Sequence, residues 1–298
     1  MTTDRLAPAT TVSRLVDDLA RILTAGGVAE PISEAREIVA ALYDVPRFWP
    51  LLNGGVGVDA PTMARAIHAA EKRAKGAPLA YAVGRASFRH LTLDVDERVL
   101  IPRPETEQLV ELILEETAET TGGVAIDVGT GSGAIAIALA AEGHFSRVYG
   151  TDVSRDALDV ARENVRLSST VLRAPVELVH GSLLGPLLDV RASVVVSNPP
   201  YIAVGEAVSL PNSVRDWEPT VALFSGSDGM AATARLVRES ADVLAPGGLF
   251  ALEVDTRRAS LAAELVMRER RFRSVRIELD LTGRERFVLA RRQEKNFG

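Results

Sequence analysis

The chain of 298 residues contains no cysteine, so a disulfide framework, a thiolate zinc site and a catalytic thiol are all excluded. Its four histidines are scattered, and no metal is expected. Aromatic residues make up 5% of the chain, and no apolar run approaches the roughly 20 residues needed to cross a bilayer. The N-terminus carries Asp4 and no long apolar stretch, which argues against a secretory signal; the expectation is a cytoplasmic protein without membrane contact. Positive charge is also short. A net charge of −6 and a pI of about 5.4 are the wrong balance for a protein that wraps duplex nucleic acid. Only three of the 34 basic residues are lysines, and the run Arg268, Arg270, Arg271 and Arg273 reads as a solvated helix end.

What is present is a globular composition, 47% hydrophobic and 25% charged, with enough length for one large domain or two ordinary ones. From Val12 to about Lys75 the periodicity is helical. Leu15, Leu19, Ile22 and Leu23 form one apolar face that Gly26-Gly27 stops, and residues 33–42 and 62–75 read as two further helices. Gly54 to Gly57 is expected to be a simple connection. Alternation through Phe88, Leu91, Leu93 and Val95 suggests a two-stranded hairpin. Beyond Glu105, strands are expected at 123–128, 147–151, 175–179, 192–197, 248–254, 273–280 and 285–291. Helices are expected at 105–118, 133–142, 155–167, 228–244 and 258–270. Such alternation specifies an α/β fold, a doubly wound and mostly parallel sheet that takes ligands at the C-terminal ends of its strands. The short Thr282-Gly283 turn makes the last two strands an antiparallel hairpin.

Two strand ends carry chemistry. The apolar strand ending Asp127-Val128 runs into Gly129-Thr130-Gly131-Ser132-Gly133-Ala134 and then a helix, a turn that lets a ligand approach the backbone closely. Gly129, Gly131 and Ala134 satisfy the dinucleotide fingerprint literally, so the loop alone does not choose a ligand. Asp152, ending the next strand, can accept from ribose hydroxyls of either a dinucleotide or S-adenosylmethionine. Asp127 would repel a pyrophosphate and would suit the ammonium of a methionine moiety, which tips the balance toward S-adenosylmethionine.

The second end is Asn198-Pro199-Pro200-Tyr201, after the run Ala192 to Val196. Two prolines end ladder bonding there and leave an amide, a carbonyl and an aromatic ring facing a cleft. Asn198 can accept one hydrogen of a planar NH2 group, the Pro199 carbonyl the other, and Tyr201 can cover the plane. Amides and exocyclic base amines both fit that cradle.

These motifs, together with Ile101-Pro102-Arg103-Pro104-Glu105-Thr106-Glu107, resemble the PrmC/HemK family, the glutamine N5-methyltransferases of peptide chain release factors. Further matches are Pro78-Leu79-Ala80-Tyr81 with Gly84 and Phe88, Val214 to Pro219, Gly226-Ser227-Asp228-Gly229, Leu244 to Gly248 and Asp280 to Arg284. The resemblance implies a Rossmann-like, seven-stranded class I S-adenosylmethionine-dependent methyltransferase domain over 105–298, whose sheet the antiparallel hairpin at the end of the chain suits better than it suits a dinucleotide fold, a helical substrate-recognition domain over 1–84 and a hairpin linker over 85–104. It implies Asn198, Pro199 and Tyr201 as catalytic residues that, with Pro200, hold the substrate. It implies cofactor contacts from Asp127, Gly129, Thr130, Gly131, Ser132, Gly133, Asp152, Ser182, Leu183 and Asn198, with Phe88, Arg103 and Thr106 as further candidates. S-adenosylhomocysteine is the product, the partner is a class 1 release factor bearing a Gly-Gly-Gln loop, and a monomer is expected. Two departures stand out. Ser182 occupies a place where relatives carry an acidic acceptor, and Glu253-Val254-Asp255-Thr256 lacks the usual glycine and glutamine. Glutamine methylation of a ribosomal protein, adenine-N6 methylation of nucleic acid, NAD-dependent oxidoreduction and a non-catalytic binding module remain as alternatives.

Overall fold

The computed structural model describes residues 10–203, 205–206, 210–224 and 230–294. Asp4, the Gly226 to Gly229 motif and the expected helix start at 228 lie outside the described residues. The chain forms two compact units, one comprising residues up to Arg85 together with Pro211–Trp217, the other Ala86–Leu210 with Glu218 onward.

The first unit contains β1 (Thr10–Thr11), α1 (Val12–Ala25), α2 (Pro31–Tyr43), α3 (Trp49–Leu52), β2 (Gly57–Val58), α4 (Ala60–Ala74) and α5 (Leu79–Val83). Leu15, Leu19 and Leu23 of α1 meet Ile38 of α2 and Ala66 and Ala70 of α4 in one buried cluster. The segment around Gly54 is more than a connection. Its Gly54 and Val56 carbonyls accept from the N–H groups of Ser13 and Val12, both at 2.9 Å, and β2 pairs antiparallel with β1. The opening turn of α1 thus finds partners for donors that a helix start leaves unsatisfied.

The second unit carries, after Arg85, β3 (Arg85–Phe88), β4 (Leu91–Asp94), α6 (Pro104–Glu116), β5 (Val124–Val128), α7 (Ala134–Glu142), β6 (Arg147–Asp152), α8 (Arg155–Leu167), β7 (Val176–His180) and β8 (Ala192–Ser197). Then follow α9 (Asn212–Arg215, in the first unit), α10 (Thr220–Leu223), α11 (Ala231–Val243), β9 (Leu244–Glu253), α12 (Ala259–Arg268), β10 (Phe272–Leu279) and β11 (Glu285–Arg292). Seven strands form one sheet in the order β7-β6-β5-β8-β9-β11-β10. The first five are mutually parallel, and β11 runs antiparallel to both of its neighbours.

Strand periodicity divides the core into two layers. Ala125, Val194 and Val196 face α6, α7 and the β3–β4 hairpin, whereas Ile126, Val195 and Phe250 face α11 and α12. Helix α7 is buried from Ala134 to Ala140, as its Ala/Ile/Leu composition demands. The hairpin belongs to the first of these layers. Phe88 is fully buried in that cluster, and Asn164 of α8 exchanges hydrogen bonds with the Asp94 N–H (2.7 Å) and carbonyl (2.9 Å). Phe88 is therefore a core residue and no wall of a ligand site, a correction to the expectation above. Strand β9 also begins earlier than expected, at Leu244. It takes in Pro246 and Gly247, which lie outside the expected 248–254, and a register shift against β8 after Ala192 absorbs them as an irregularity within the strand. Among the described residues no helix is long and apolar enough to cross a membrane.

Candidate active site

Strand β5 is flanked by β6 and β8, and the chain leaves those two on its way to opposite faces of the sheet, so a crevice opens at their C-terminal ends. A cavity of about 470 Å³ occupies it. That is the size range of a small-ligand pocket. Of the expected residues, Arg103, Thr106, Gly129, Thr130, Gly131, Ser132, Asp152, Ser182, Leu183, Asn198, Pro199 and Pro200 line it. Asp127, Gly133, Phe88 and Tyr201 do not.

The glycine loop is held left-handed at Gly129 (φ 74°), Gly131 (φ 55°) and Gly133 (φ 83°), where a side chain would be strained. Four of its N–H groups are spent within the protein. Those of Gly129 and Thr130 donate to the Thr151 carbonyl at 2.8 and 2.9 Å, that of Gly131 to Asp152 Oδ2 at 2.9 Å, and that of Gly133 to the Thr130 carbonyl at 2.8 Å. A loop that cradles pyrophosphate must keep such donors free. This one offers carboxylate instead. Asp152 Oδ1 accepts from the Ser154 N–H at 2.9 Å, so each carboxylate oxygen has one partner and keeps acceptor capacity for ligand hydroxyls.

Asp127 was expected to face a ligand's ammonium, and the structure corrects this. It is fully buried beneath the loop, where Oδ2 accepts from the Thr130 hydroxyl at 2.6 Å and the Ala136 N–H at 3.2 Å. Burial pushes its pKa up to about 7, and Oδ1 has no partner. The carboxylate buttresses the turn and keeps one oxygen in reserve. Gly133 likewise serves packing: a Cβ there would lie 3.2 Å from Ile137 Cδ1 and 3.4 Å from Ala161 Cβ.

At the end of β8 the Asn198 side chain donates through Nδ2 to Thr106 Oγ1 at 3.1 Å, and the Thr106 hydroxyl donates to Glu253 Oε2 at 2.7 Å. The amide nitrogen is engaged and the amide oxygen is left to accept. Tyr201 was expected to cover a bound group, but its half-buried side chain lies off the cavity lining, under the influence of Glu253, Arg286 and Asp255. Burial pushes its hydroxyl up to about 12, so it stays protonated. Arg103 reaches both carboxylate oxygens of the buried Glu218, at 2.6 and 2.7 Å. Leu183 adopts φ 52° while its carbonyl accepts from the Thr151 hydroxyl at 2.9 Å, and Ser182 Oγ accepts from Arg235 at 3.3 Å.

Sequence reasoning missed the partners of this site. Glu253 stood out only as part of a departure from the family pattern, and Glu218 only within a matching segment; neither was assigned a contact. Their partners lie 147 and 115 residues away, and no local pattern encodes such pairings. The apolar walls from Ile135, Val153 and Phe224 were also unforeseen, because each reads as ordinary core or loop.

The reversed strand β11 next to the sheet edge, the glycine loop with its N–H groups turned inward and the acidic acceptor at the next strand end define the fold of a class I S-adenosylmethionine-dependent methyltransferase. Residues 14–84 match the PrmC N-terminal domain and residues 105–211 the methyltransferase small domain. The release factor glutamine methyltransferase of Deinococcus radiodurans is 41% identical over 91% of this chain and 94% of its own. That of Moorella thermoacetica is 38% identical over 96% and 100% respectively. The chain belongs to the release factor glutamine methyltransferase family. Solved structures agree at the level of fold. A methyltransferase from Pyrococcus furiosus aligns with a TM-score of 0.51 at 19% identity, covering 68% of this chain and 90% of its own. The catalytic domain of hMettl16, solved with an RNA hairpin, aligns with 0.55 at 18% identity, covering 82% and 85%.

Proposed function

We propose that this protein transfers the methyl group of S-adenosylmethionine to N5 of the glutamine in the Gly-Gly-Gln loop of class 1 peptide chain release factors. The observation that carries the reading is the Asn198 amide, its nitrogen engaged by Thr106 and its oxygen left as an acceptor in the cavity that Asp152 and the glycine loop also line. The names of the relatives at about 40% identity support the same substrate.

The residues present fit the cofactor. Asp152 has acceptor capacity for ribose hydroxyls, and Ile135, Val153 and Phe224 offer apolar walls for a base. Gly129 to Ser132, Asp152, Ser182 and Leu183 would hold it. When bound, it supplies an electrophilic methyl on a sulfonium centre.

A carboxamide nitrogen is a weak nucleophile because its lone pair is delocalised into the carbonyl. Asn198 Oδ1 and the Pro199 carbonyl accept its two hydrogens, which orients the NH2 and raises the electron density on nitrogen. Pro200 has no N–H, so the corner presents acceptors without a competing backbone donor there. Tyr201 follows directly on the corner and supports it from the side of Glu253 and Arg286. The nitrogen loses its proton after transfer, and no side chain at the corner is placed as a dedicated base. The helical first unit selects the protein partner, and the enzyme acts as a monomer in the cytoplasm.

Mass spectrometry of a purified class 1 release factor, incubated with the protein and S-adenosylmethionine, tests the reading. One added methyl on the glutamine of the Gly-Gly-Gln peptide is expected. Methyl transfer to a ribosomal protein or to adenine in oligonucleotides, with the release factor untouched, would overturn it.

A further inference from the structure

An asparagine side chain has two nearly isosteric ends, so its shape does not decide which end meets a substrate. Its other neighbour decides. If the Asn198 nitrogen faced a substrate NH2, donor would oppose donor and the cradle would repel what it must hold.

The neighbour here is Thr106, 5% exposed in the first turn of α6. A threonine hydroxyl has one hydrogen to give, and Thr106 gives it to Glu253 Oε2 at the end of β9, a residue 1% exposed. With Glu253 ionised and its own hydrogen so committed, Thr106 Oγ1 can only accept, and the group of Asn198 that can donate to it is Nδ2, at 3.1 Å. Direction therefore passes along the chain from carboxylate to hydroxyl to amide. Capping does not explain this arrangement, since Arg103 precedes α6 without a side-chain cap and the Thr106 hydroxyl turns away to β9.

We infer that Thr106 and Glu253 are positioning residues for the methyl-transfer reaction, a buried relay that sets the Asn198 amide oxygen toward the substrate. The inference rests on the glutamine-methylation reading and extends it to the residues behind the corner. Arg286 and Arg103 face the Glu253 carboxylate as opposite charges, Glu105 as a like charge, and the Tyr201 phenol lies within its influence.

The full-length protein is assayed with S-adenosylmethionine and a release factor, and cofactor binding is measured separately by calorimetry. Thr106→Val should lower kcat about tenfold, with cofactor Kd and release-factor KM within about twofold of wild type. Thr106→Ser should restore most of the loss, and Glu253→Gln, which can offer Thr106 either an acceptor or a donor, should fall between. In an Asn198→Ala background Thr106→Val should have no further effect, because the relay acts through Asn198. In isotope-labelled protein without cofactor, exchange protection of the Asn198 side-chain amide protons should be present in wild type and Thr106→Ser and lost in Thr106→Val. Unchanged kcat in Thr106→Val, a loss additive with that of Asn198→Ala, or equal losses of kcat, cofactor binding and Tm would overturn the relay. Failure of the underlying reading looks different: the wild-type protein leaves the release-factor glutamine unmethylated, or Asn198→Ala retains full turnover.

Discussion

At the residue scale, the site turns on which polar atoms have partners. Asn198 Oδ1 is kept as an acceptor while its nitrogen is engaged, so Asn198→Ala should lower turnover roughly ten- to a hundredfold, since losing a buried acceptor typically costs about 1–3 kcal/mol. Cofactor binding by calorimetry should stay intact, and wild-type turnover in that variant would refute the cradle. Asp152 plays the complementary part. Its carboxylate ties down the Gly131 and Ser154 N–H groups, and Asp152→Asn must turn an NH2 toward one of them or toward the ligand. Cofactor Kd should rise about tenfold or more, an effect of the size expected for one unpaired buried donor. Asn198 and Asp152 were legible because each ends an apolar strand and needs only its own neighbourhood to be recognised. Glu253 was not, because its meaning depends on a hydroxyl brought to it from α6.

At the scale of elements, the positions of strands and helices followed closely from periodicity. Helix α8 matches the expected 155–167, and β8 the expected 192–197. The misreadings occurred where turn-forming residues serve another end. Gly57 pairs in a short ladder, Pro246-Gly247-Gly248 sits within β9, and the β3–β4 hairpin lies in the core of the second unit. Gly133 shows the opposite case, a glycine that the element requires. Gly133→Ala would place a methyl group at φ 83° and 3.2 Å from Ile137 Cδ1. It should destabilise the protein by about 1–2 kcal/mol, read as a lower denaturant midpoint at unchanged slope. A variant as stable as wild type would contradict the left-handed turn.

At the scale of the whole molecule, two buried carboxyls make stability depend on pH. Burial pushes both Asp127 and Glu253 up to about 7 in the folded protein. Unfolded, they return to about 4. Between those values the folded protein binds more protons than the unfolded chain, so stability falls as pH rises from about 4 to about 7 and levels off above. Thr130, the Ala136 N–H and the Asp152 charge act on Asp127, and Thr106, Arg286, Glu105 and Arg103 on Glu253. Asp127→Asn should therefore flatten the decline in urea midpoint between about pH 5 and pH 8. An identical decline in the variant would show that Asp127 is ionised throughout. The division into two units also has a functional consequence. Deleting residues 1–75 should impair release-factor methylation far more than cofactor binding, and full methylation by the shortened chain would remove the first unit from substrate selection.

Composition, periodicity and the two strand-end motifs by themselves determined the class of fold, the ligand edge of the sheet and the corner that the proposed reaction uses, because each is written in residues close together in the chain. Tertiary structure alone decided which side chains stand behind that corner, that Asp127 lies beneath the loop and Phe88 within the core, and which way the Asn198 amide faces. Those outcomes depend on hydrogen bonds and burial between segments far apart in sequence, and only the closing of the sheet and its helices brings such partners within reach.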